Sequence, residues 1–175
     1  MGHHALVTDW PYPVADQVPS PQRVAAWARL GLLPTEKVPL WAAHWIVAGH
    51  DGEHLVYLAG LHGDDPHDVH DALPDALGDC GVEIPGSDVA AATVAFIDLS
   101  RMHLAGQAGP LWVAQKVDEV VERSEYAASV MDLPLGRLYC IADEWGEGWG
   151  RSVEQLTALV SQASEEQLHN GTVAS

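Results

Sequence analysis

Proline opens one apolar stretch after another in this chain, as Ser20-Pro21, Val38-Pro39, Asp65-Pro66 and Gly109-Pro110. In the first turn of a helix the amide that proline lacks would have no intrahelical acceptor, and its fixed φ already suits the helix. The residues behind each proline repeat at helical spacing, so the chain is constrained to fold as a succession of helices.

The densest block runs from Val38 to Leu77 and reads as three short helices. The first extends to Ala48 and is closed by Gly49, Asp51 is suited to cap the second, and Asp65-Pro66 opens the third. Leu40, Trp41, Ala43, His44, Trp45, Val47 and Ala48 are apolar almost all round, which predicts a buried helix with His44 as a hydrogen-bonded core histidine. At roughly 100° per residue, Val69, Ala72, Leu73, Ala76 and Leu77 of the third helix fall within an arc of about 140°. His67 and Asp71 lie opposite, with Asp68, His70 and Asp75 on the flanks, so these groups face water. Pro74 interrupts the pattern and predicts a kink or a restart.

On either side of this block the punctuation continues. Residues 1–19 carry Pro11, Pro13 and Pro19 with little periodicity and read as an extended arm, in which Trp10 and Tyr12 pin the arm to the domain or dock a partner. Ser20-Pro21 begins a helix that Gly31 stops. Beyond a connector from Gly78 to Gly86, Ser87 or Asp88 caps the segment Val89 to Leu104. Its inner part, Thr93 to Leu99, is strand-like in composition, but the length favours helix. Val113, Val117, Val120 and Val121 form one stripe, with Gln115, Asp118, Glu119, Glu122 and Arg123 on the wet side. Pro134 starts a segment from Leu135 to Trp145. The last helix has the Ser152-x-x-Gln155 capping box and an Asn170-Gly171 stop. The expected fold is therefore all-α, a single irregular helical bundle of about seven or eight helices over 20–170, with an arm over 1–19 and a frayed tail over 171–175.

A formal net charge of -17, from 8 Lys+Arg against 25 Asp+Glu, decides which partners are excluded. Such a field repels phosphate and anionic headgroups and attracts basic proteins, so neither nucleic acid nor membrane is an expected partner. The stretch LAGLHGDDPHDVHDAL has helix-turn-helix packing, yet its second helix would present Asp68, Asp71 and Asp75 to phosphates. Cys80 and Cys140 are far apart and without CxxC spacing, which predicts buried free thiols rather than a disulfide framework or a zinc site. No signal-peptide pattern and no apolar run of membrane-spanning length occurs, and a cytoplasmic protein is expected.

No nucleotide loop, nucleophile elbow or HExxH is present, neither cysteine looks activated, and Asp143-Glu144 and Glu165-Glu166 diverge on a helix. No catalytic residue is assigned, and an enzyme is the less favoured reading. Two stretches carry alternatives. In Ile141–Gly150, two tryptophans, three acids and three glycines make Asp143, Glu144, Trp145, Glu147 and Trp149 a candidate surface for a basic protein. The bland reading is that Trp145 and Trp149 fold back as a plug, since tryptophan is highly buried on average. In the second stretch, His62, Asp64, His67 and Asp71 are ligand types for a divalent transition metal, with His67 and Asp71 one turn apart. Against that, the angular pattern sets them on a solvated face.

The favoured expectation is a non-catalytic acidic protein-interaction protein without cofactor, in concrete form an inhibitor or immunity-type protein for a basic partner. The alternative is a metal-binding protein or metal-dependent enzyme on the His62–Asp71 segment. In charge sign and helix content the chain resembles small acidic helical immunity proteins that neutralise basic nuclease toxins, although no motif carries over residue by residue. Its Lys-poor, Ala- and Gly-rich usage resembles that of high-GC bacterial proteins.

Overall fold

The computed structural model describes residues 18–173, and these are all-α, with eight α-helices and three short 3-10 turns. Among the described residues there is no strand. The chain falls into two compact units, Met1–Gly86 and Ser87–Ser175, with the boundary at the end of the glycine-flanked connector. Most of the arm read from the sequence, including Trp10 and Tyr12, lies outside the described residues, as do 174–175.

The first unit holds α1 (Pro21–Leu30), α2 (Val38–Val47), α3 (Glu53–Ala59) and α4 (Pro66–Asp79). Ser20 Oγ accepts from the Arg23 amide at the start of α1, and Gly31 ends it in the left-handed region at φ 70°. The helix α2 packs on α3, and α3 on α4. Trp27 of α1 meets Trp41 of α2 with ring centroids 6.1 Å apart, and Trp45 Nε1 donates to the Pro19 carbonyl at 2.8 Å. All three tryptophan bodies are thus in the core, and the polar tip of Trp45 is satisfied by backbone. Val69, Leu73, Ala76 and Leu77 are buried on α4 while His67, Asp68, His70, Asp71 and Asp75 are exposed, as the angular pattern predicts. Pro74 is exposed within one uninterrupted helix over Pro66–Asp79, with no restart.

Two expectations in this unit are corrected. The α2 helix buries only Val38, Pro39, Trp41, Ala42 and Trp45, leaving Leu40 64% and Val47 86% exposed and His44 in water. A unit this small has too little interior to surround a helix on every side. Asp51 does not cap α3: Gly52 is the N-cap residue, and Asp79 Oδ2, from the far end of α4, accepts the Leu55 amide at 2.9 Å.

The second unit holds α5 (Asp88–Leu104), α6 (Pro110–Arg123), α7 (Ala128–Met131) and α8 (Val153–Val173). Ser87 caps α5 through the Ala90 amide, and the strand-like window lies inside that helix. There the β-branched Thr93 turns its hydroxyl onto the Val89 carbonyl at 2.7 Å. α5 and α6 both pack on α8. On α6 the valine stripe is buried as expected, and so is Lys116, 1% exposed, paired with Glu119 Oε2 at 2.9 Å. The capping box opens α8: the Ser152 amide donates to Gln155 Oε1 at 2.9 Å and the Gln155 amide to Ser152 Oγ at 3.2 Å. This helix runs through the expected Asn170-Gly171 stop to Val173.

Leu135 to Trp145 is not one helical segment but two 3-10 turns, Gly136–Leu138 and Ile141–Glu144. Tyr139 is extended between them and Cys140 adopts a left-handed φ of 73°. Both departures end any α-helix at that point.

Candidate functional site

The acidic tryptophan loop grows out of the second 3-10 turn. Asp118 of α6 turns one carboxylate oxygen to the Cys140 amide at 2.9 Å, which holds Cys140 at the turn's entrance. Burial pushes the Asp118 carboxyl up to about 6, with Asp143, Glu122 and Glu119 adding repulsion against the lowering effect of that amide. The expectation that Cys140 is buried is wrong, since the left-handed turn carries its side chain outward and it is exposed. Cys80 is half-buried, and both thiols are free; burial, and then the charge of Asp79, raise the Cys80 thiol above its ordinary range.

The far end of the loop is closed by Glu144 and Arg151. Glu144 Oε1 accepts from Arg151 Nε at 3.1 Å and from the Arg151 backbone amide at 3.2 Å, while the second carboxylate oxygen takes a guanidinium nitrogen. The guanidinium bonds, then the backbone amide, hold the Glu144 carboxyl below its usual range. Gly150, at φ 73°, lies against this pair, and a Cβ there would come within 2.6 Å of Glu144 Oε1. Only glycine lets the backbone pass under the carboxylate in that conformation.

Between the two anchors the five candidate residues have separate situations. Asp143 and Glu147 are exposed, Trp149 is 59% exposed, Trp145 is half-buried, and Glu144 is committed to Arg151. Trp149 therefore does not plug the interior, and Trp145 is the more buried of the two tryptophans. Sequence reasoning missed Asp118 and Arg151, because neither is near the loop's acids in a way spacing reveals.

Of the four candidate metal ligands, His67 and Asp71 do meet, with Nε2 and Oδ2 3.3 Å apart on the exposed face of α4. His62 and Asp64 line a separate hollow with Leu61, Gly63, Asp65 and Asp68. Among the described residues no group of three or more His, Cys, Asp or Glu side chains is placed to hold a metal ion. The physical reason is that Asp65 is occupied as N-cap, its Oδ1 accepting the His67 amide at 2.9 Å, so the loop is turned into the helix start rather than over its outer face. A groove of about 280 Å³ between α3 and α4 is lined by His54, Tyr57, Asp68, Asp71, Ala72 and Asp75. It adds an acidic surface on the first unit that composition alone does not locate.

Among the described residues no helix is long and apolar enough to cross a membrane. No family model, curated protein or solved structure matches this chain.

Proposed function

We propose that this chain is an acidic protein that acts in the cytoplasm by binding a basic protein through a non-catalytic surface, in its concrete form as an inhibitor or immunity-type protein. The observation that carries this reading is Trp149, 59% exposed beside the water-facing Asp143 and Glu147 on a loop anchored at both ends. A large rigid aromatic supplies contact area at low entropic cost, and surrounding carboxylates steer a cationic surface towards it. The anchoring favours affinity, because a loop held before binding has less freedom to lose. A net charge of -17 supports the sign of the partner.

The two contributions separate kinetically. With a basic protein as the probe, Asp143→Asn combined with Glu147→Gln should slow association and flatten its salt dependence, leaving dissociation nearly unchanged. Trp149→Ala should raise the dissociation rate by an amount matching about 2 kcal/mol. Because Trp149 is largely exposed, its truncation should leave the melting temperature close to that of the parent. A substantial fall in melting temperature, together with unchanged association of the charge variant, would remove the loop from the interface.

A further inference from the structure

His103 lies in the last turn of α5 and Ser161 on α8, within the same unit, and both are half-buried. The imidazole Nδ1 is 3.0 Å from the Ala108 carbonyl oxygen, and Nε2 is 3.0 Å from Ser161 Oγ. A carbonyl oxygen can only accept, so Nδ1 carries the hydrogen. In the neutral ring Nε2 is then the bare nitrogen, and the Ser161 hydroxyl donates to it. The backbone thus selects the tautomer in which a serine proton points at a base, with a third group orienting that base. The first turn of α6 starts just past Ala108, and its N-cap Gly109 offers no side-chain acceptor.

We propose that Ser161 is a nucleophile, with His103 as its general base, that accepts the acyl group of an activated ester. Ser161 Oγ bonds to the carbonyl carbon as its proton passes to His103 Nε2. The tetrahedral adduct then expels the alkoxide, which leaves with that proton. Water, deprotonated by the same nitrogen, attacks the acyl-serine, and the carboxylic acid departs as the proton returns to Oγ. This activity is independent of the partner-binding reading and shares no residue with the tryptophan loop.

The test uses the whole chain and p-nitrophenyl acetate, following p-nitrophenolate release together with acetyl occupancy by peptide mass spectrometry. Ser152 is the internal reference: it is exposed, and its hydroxyl accepts from the Gln155 amide. Ser161 should acylate on the order of 100-fold faster than Ser152, and His103→Gln should remove that advantage without changing Ser152. Where deacylation outruns acylation, the same chemistry appears as p-nitrophenolate release that is lost in Ser161→Ala. The proposal is overturned if Ser161→Ala leaves release unchanged and Ser161 acylates no faster than Ser152, or if a folded His103→Gln variant acylates Ser161 at the parent rate. Either outcome would make the pair a clamp between α5 and α8. Should His103→Gln fail to fold by circular dichroism, the Ser161 to Ser152 ratio in the parent decides alone.

Discussion

At the scale of single residues, the acidic surplus of the chain is unevenly employed. Glu144 is locked to Arg151, Asp79 caps a helix and Glu119 pairs with the buried Lys116, whereas Asp143 and Glu147 face water. Asp118 is an acid whose ionisation the fold resists, chiefly through burial and then through Asp143, Glu122 and Glu119. Its folded pKa of about 6 lies above the unfolded carboxyl value of about 3.9, so the folded state binds more protons between those limits. The sign follows: stability due to this group is fully present below about pH 4 and is lost as pH rises through about 6. Asp118→Asn keeps an oxygen for the Cys140 amide and carries no charge. Relative to the parent it should gain on the order of 1 kcal/mol at pH 7.5, a discounted figure because solvent screens a half-open carboxyl, and the gain should vanish at pH 4. Urea unfolding of both proteins at the two pH values checks this, and an equal difference at both would show that Asp118 ionises without cost.

Among the helices, punctuation close in sequence was legible and punctuation distant in sequence was not. Ser20, Asp65, Ser87 and the Ser152–Gln155 box cap the helices they precede, because a cap reaches only two or three residues along the chain. For α3 the acceptor comes from Asp79, brought near only when α4 packs beside α3. Asp79→Ala should therefore lower stability by about 1 kcal/mol and loosen α3 first, while Asp79→Asn should cost only part of that. Hydrogen exchange at the amides of α3 measures it, and unaltered protection there in Asp79→Ala would mean that the cap contributes nothing. The 3-10 turns were illegible for a related reason. Leu135 to Trp145 has helical composition, but the left-handed Cys140 is held by Asp118, on a different element.

For the whole molecule, charge and helix content are properties of the sum and were readable before any contact was known. If the field of a -17 chain steers a basic partner, raising salt from 10 mM to 1 M, which shortens the screening length from about 30 Å to about 3 Å, should cut the association rate steeply and leave dissociation almost untouched. Stopped-flow traces across that range decide it, and a salt-independent association rate would remove steering from the account. The sequence by itself determined the all-α class, most helix starts and the buried stripes of α4 and α6, because each depends on neighbours within a turn or two. Tertiary structure alone decided that α2 shows Leu40 and Val47 to water, that Trp149 is exposed while Trp145 is half-buried, and that His103 meets Ser161. Those outcomes depend on which surfaces other helices cover, and periodicity along one segment does not contain the position of another.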